Sequence, residues 1–121
     1  MTGCVPADDG KLTRVGEYID FLYGLKPGAP QKIFVALIAG ATEPYVIKPT
    51  SFMLGNGTVE SQPTVGHSCT GGSAGTEYAD PPLRLNALAR AFAPNSIITS
   101  ICDVDFKASM EAIAQQMVKA P

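Results

Sequence analysis

The side chains of this 121-residue chain best suited to covalent or metal chemistry are His67 and the cysteines Cys4, Cys69 and Cys102. His67 precedes Cys69 by two positions, so on an extended segment imidazole and thiol point the same way, as a base and its nucleophile must. No third group to orient the imidazole is identifiable from the sequence, and two members alone do not make a catalytic constellation. Cys4, His67, Cys69 and Cys102 are also possible zinc ligands. Structural zinc sites pair their ligands about two to four residues apart, and only His67-x-Cys69 comes close to that spacing. A bridge fits the flanking residues better. Cys69 and Cys102 each close a segment that reads as structured and open onto a polar one, where a disulfide would tie a loop to the rim of a sheet. Cys4 then has no mate in the chain, and an odd cysteine is either a free thiol or the partner of one upstream in a longer protein.

Other motifs have plainer readings. Gly71-Gly72-Ser73-Ala74-Gly75-Thr76 is glycine-rich like a phosphate cradle, but it lacks the lysine of such loops and does not sit between a strand and a helix. Asp8-Asp9 and Asp103-x-Asp105 do not extend into the ligand series of a calcium loop, and the latter pair suits the free amides at a helix start. Asn56-Gly57-Thr58 fits a glycosylation acceptor and, more simply, a turn. Met110 and Met117 are core residues by spacing. The sequence therefore assigns no catalytic residue, no metal ligand and no cofactor.

The elements that must position these residues follow from periodicity. Leu12, Val15, Ile19, Leu22 and Leu25 recur at helical steps, with Thr13 as a cap and Lys26-Pro27-Gly28 as the stop. Lys32 to Gly40 is continuously apolar after its first residue and partly β-branched, which predicts a strand buried on both faces. Pro44 to Pro49 suits a short edge strand, and Ser51–Leu54 with Thr58–Ser61 flank Gly55-Asn56-Gly57 as a hairpin. Gln62 to Ala79 reads as a loop. Asp80-Pro81-Pro82 supplies a cap and a proline for a helix over Leu83 to Phe92, stopped by Pro94-Asn95. Ile97 to Cys102 is a second strand, and Asp103 or Asp105 caps a last helix with Phe106, Met110, Ile113 and Met117 on one face.

Strands alternating with helices predict an α/β domain: a partial doubly wound, Rossmann-like parallel sheet with flanking helices. Two or three core strands are expected, with a loop or hairpin excursion over about 49–79, all in one domain spanning 1–121. Hydrophobic residues make up 45% of the chain, enough for a core, and a net charge of -2 provides no basic field for nucleic acid. The first residues lack the pattern of a secretory signal, and the longest apolar run is too short to span a bilayer, so no membrane insertion is expected. A strand such as Ile33 to Ala39 wants neighbours on both sides, and the chain offers one. With the odd Cys4, this points to the carboxy-terminal half of a larger domain.

Tyr18 to Lys26, Ile33 to Gly40 followed by Glu43-Pro44, His67-Ser68-Cys69, Ala79-Asp80-Pro81 with Arg84, and Ser100-Ile101-Cys102 with Asp105-Phe106 stand in that order. The ordered set resembles the second half of von Willebrand factor A-like domains of secreted or lipoprotein-type proteins of myxobacteria and related bacteria. The resemblance covers most of the chain. It implies that Cys69 and Cys102 pair across the loop and that the mate of Cys4 lies in the preceding half. It also implies an extracellular or cell-envelope location for the parent protein, and a non-catalytic binding or structural role. Its partners would be protein ligands or the missing amino-terminal half. Such domains hold a divalent cation through an Asp-x-Ser-x-Ser loop, and that motif is absent here, so no metal-site residue carries over. The reading from another class is a small hydrolase or thiol-dependent enzyme using His67 and Cys69.

Overall fold

The computed structural model describes residues 5–43, 45–72 and 74–119. Cys4 lies outside them, and with it the expectation that it stands unpaired; so do Pro44 and Ser73. In chain order the elements are α1 (Val15–Gly24), β1 (Val35–Ala39), β2 (Ile47–Met53), β3 (Val59–Val65), β4 (Cys69–Gly71), β5 (Glu77–Ala79), α2 (Leu83–Arg90), β6 (Ser96–Ser100) and α3 (Lys107–Lys119), with a 3-10 turn at Pro30–Lys32. The class is mixed α/β, built on one parallel pair and two antiparallel hairpins.

The parallel pair is β1 with β6, in register from Val35↔Ser96 to Ala39↔Ser100. The connection between them carries α2, which packs on both strands, while α1 packs on α2 and α3 packs on β6. Val15, Tyr45, Ala89, Phe92 and Ile113 are the buried apolar residues. Tyr23 fastens α1 to the end of α2: its ring lies 4.7 Å from that of Phe92, and its hydroxyl donates to the Ala91 carbonyl at 2.8 Å.

β1 departs from the expected interior strand. Its residues are half-buried and Ala36 is exposed, because among the described residues only β6 pairs with it. Val35 N–H donates to Asn95 and the Ala39 carbonyl accepts from Ile101, so the odd positions of β1 face β6. The amides of Ala36 and Ile38 therefore point to the open edge.

The excursion contains the expected hairpin with both strands longer than read, and Gln62 to Ala79, which reads as a loop, is strand in part. β2 and β3 form a seven-residue antiparallel ladder that runs through Pro49 and Pro63, and β4 pairs with β5 from Cys69↔Ala79 to Gly71↔Glu77. Cross-strand contacts rather than apolar periodicity hold these strands: Thr50 Oγ1 lies 2.5 Å from Thr64 Oγ1, and Asn56 Oδ1 accepts the Thr58 amide at 3.0 Å to shape the turn.

Helix starts also differ from the sequence expectation. α1 begins at Val15, and Arg14 rather than Thr13 stands at its cap position without a side-chain capping bond, while the Thr13 carbonyl accepts from Arg84. Leu12 stays exposed because it precedes the helix. Pro81 and Pro82 precede α2, and no side chain caps it. Asp105 does cap the last helix, its Oδ1 accepting the Lys107 amide at 2.9 Å. On α3 only Ile113 of the expected apolar face is buried, with Met110 and Met117 exposed; Phe106 lies before the helix and is exposed too. Among the described residues no helix is long and apolar enough to cross a membrane.

Candidate functional site

The carboxyl ends of β1 and β6 carry the hairpin and turn that hold His67, Cys69 and Cys102. Gly40 follows β1 and is buried beneath the base of the β4–β5 hairpin: a Cβ there would stand 2.8 Å from both the Asp80 carbonyl and Ser68 Oγ. Gly71, in β4, lies against the turn that follows β6, where a Cβ would come within 2.7 Å of the Cys102 Cα and carbonyl oxygen. Glycine at both positions lets the hairpin seat directly on the strand ends. Cys69 and Cys102 are thereby brought to disulfide distance, with Cα atoms 6.1 Å apart and sulfurs 1.99 Å apart, across a separation of 33 residues. That Cα spacing lies within the range a disulfide bridges without backbone movement.

The hairpin also gives His67 its partners. Its Nδ1 lies 2.6 Å from Asp80 Oδ1, and its ring stacks on Tyr78 with centroids 3.7 Å apart. The two side chains are 49% and 66% exposed, so water screens the pair and it contributes at most about 1 kcal/mol to stability. Asp80 is the orienting group that sequence reading did not find. It lies thirteen residues downstream and was spent there on a helix cap, whereas the fold turns it back to the imidazole.

Among the described residues no nucleophile completes a triad around this dyad. The Cys69 sulfur is engaged with Cys102, and Ser68 Oγ donates to the Ala79 carbonyl at 3.2 Å. Among the described residues no hydrogen bond links His67 to Cys69, and no three of His, Cys, Asp and Glu gather as metal ligands. An orienting acid and a tyrosine stack thus fix an imidazole at the surface, next to a crosslinked hairpin.

The same strand ends line an open crevice of about 320 Å³ beside α2. Its polar groups are Thr42, Glu43, Asn86, Arg90, Thr99 and Ser100. Asn86 is buried on α2 and donates to Thr42 Oγ1 at 3.1 Å, while Thr99 Oγ1 is buried without a hydrogen-bond partner. Carboxyl ends of parallel strands are the customary place for ligands in open α/β sheets. None of these residues was a candidate site residue in the sequence, where Glu43 and Ser100 figure only in the family resemblance, since isolated Thr, Asn and Arg in apolar or helical runs carry no spacing signal. No family model, curated protein or solved structure matches this chain.

Proposed function

We propose that this chain is the carboxy-terminal half of a von Willebrand factor A-like domain, doubly wound when complete, with a non-catalytic binding or structural role at the cell envelope or outside the cell. This half lacks the Asp-x-Ser-x-Ser of the metal-ion-dependent adhesion motif. The observation that carries the reading is the amount of surface left open. The chain exposes 8424 Å². A compact monomer of its 12.7 kDa mass exposes about 6,200 Å². The excess of about 2,200 Å² exceeds the total buried in a standard protein interface. Much of it is apolar: Phe21 and Leu25 of α1 and its end, Met110 and Met117 of α3, and the free side of β1 with Ala36. A parallel strand with one open edge and helices with uncovered faces is what half of a doubly wound sheet presents to its other half.

The test begins with the DNA upstream of the Met1 codon. An in-frame Asp-x-Ser-x-Ser segment is expected, and in the longer chain the Ala36 and Ile38 amides, open here, should become protected from hydrogen exchange. Upstream DNA without coding potential, or Ala36 and Ile38 amides that exchange equally fast in both chains, would sink the proposal.

The thiol-enzyme reading gains one observation, the Asp80 carboxylate on His67. Against it, Cys69 has its sulfur at bonding distance from Cys102. Mass spectrometry of alkylated protein without reductant decides between them: one bridge and one alkylated thiol support the structural role, and an alkylated Cys69 supports the enzyme.

A further inference from the structure

We propose that the β2–β3 hairpin is a dimerisation arm whose apolar face docks on the same face of a second copy of this chain. This goes beyond the role proposed above and does not depend on a missing half.

The arm makes its principal packing contacts between its own two strands. Its ladder has two chemically distinct faces. Leu54 N–H donates to Thr58 at 2.8 Å and Gly66 N–H to Val46 at 2.7 Å, so the ladder bonds fall at even positions. Odd positions are the non-hydrogen-bonded pairs, with side chains on one face and N–H and C=O groups directed to the outer edges. That face has Ile47 opposite Val65 at one end and Met53 opposite Val59 at the other. All four are exposed, from 39% for Ile47 to 78% for Met53. Between them Pro49 lies opposite Pro63 and Ser51 opposite Ser61. The face is uncharged, whereas Lys48 and Glu60 lie on the other one.

Two features select the occupant. Pro49 and Pro63 each remove one outward donor near the middle of their edge, which interrupts the ladder an added strand would make and favours engagement of the face over the edge. The face also complements itself. A two-fold axis in the plane of the sheets, perpendicular to the strands at the Thr50–Gln62 pair, lays β2 on β2 and β3 on β3 with reversed direction. Ile47 then meets the second copy's Met53, Val59 meets Val65, and the bulky Pro49 and Pro63 fall on the small Ser51 and Ser61. Closed isologous pairing needs only such a patch. At about 3.3 Å per residue and about 4.8 Å between strands, seven-residue strands make a face about 20 Å by 10 Å. This is below the roughly 800 Å² per partner of a standard interface, so the dimer is weak and reversible.

Sedimentation equilibrium of the full chain from about 1 µM to 1 mM tests it. A monomer–dimer equilibrium is expected. Met53→Lys and Ile47→Glu should each weaken dimerisation about tenfold or more, since each puts two uncompensated charges in an apolar interface. Mixing these two variants should restore the dimer, because the two positions face each other, while Gln62→Glu on the opposite face should leave it unchanged. Circular dichroism of each variant checks that the arm is intact. A chain monomeric throughout the range overturns the proposal, as does a monomer that instead co-sediments with phosphatidylcholine vesicles. Rescue of Met53→Lys by Val59→Glu rather than Ile47→Glu would overturn the stated two-fold.

Discussion

At the scale of single residues, two glycines and two cysteines decide how the excursion is attached. Adding a methyl at Gly71 drives it into the Cys102 backbone, which cannot rotate aside as a side chain would. Gly71→Ala is therefore expected to lower stability by about 1–3 kcal/mol in urea denaturation. Gly16, in α1, has nothing within 4 Å of its virtual Cβ, so Gly16→Ala should raise stability by about 0.5 kcal/mol through helix propensity. Equal effects at the two sites would show that the hairpin does not seat on Cys102. A bridge closing a 33-residue separation should contribute about 4 kcal/mol by restricting the unfolded chain. Reductant should remove that amount from the unfolding free energy, and a reductant-independent midpoint would mean the sulfurs are not bonded in solution. The cysteines stood out in the sequence because residue type alone marks them. Asp80 did not, since its use depends on a hairpin whose three-residue strands are too short to leave a period.

At the scale of elements, legibility followed the length of the apolar pattern. β1, β6 and α2 were readable, because a continuous apolar run or a helical stripe backed by proline stops leaves few alternatives. The β2–β3 arm was legible at its tip, where Ser51–Leu54 and Thr58–Ser61 flank Gly55-Asn56-Gly57, but its length was not. Its strands contain Pro49 and Pro63, which argue against a strand unless both edges are free, and they are. The α3 stripe was legible as a pattern but not as burial, since periodicity shows which face is apolar and not whether anything covers it. Only Ile113 is covered. Ile113→Ala should cost about 2–4 kcal/mol, whereas Met117→Ala, on the same stripe but exposed, should change stability by less than about 0.5 kcal/mol. Comparable losses at both would place a cover over Met117 in solution, and the dependence of that loss on protein concentration would identify a second copy as the cover.

At the scale of the whole molecule, the open surface has a consequence for cooperativity that needs no partner. An unfolded chain of 12.7 kDa exposes about 18,400 Å². Folding to 8424 Å² buries a little over half of it. A compact domain of the same mass buries about two thirds. The urea m-value scales with the surface exposed on unfolding, so it should fall roughly a sixth to a fifth below that of compact domains of equal length. The measurement belongs in reductant, because a closed bridge compacts the unfolded state and lowers m by itself. It also belongs at concentrations below about 1 µM, where a weak dimer has dissociated. An m-value at the compact-domain level would mean that the exposed faces of α1, α3 and β1 are covered in solution by this same chain. A low value that rises in a chain extended by any in-frame sequence upstream of Met1 would locate the cover there.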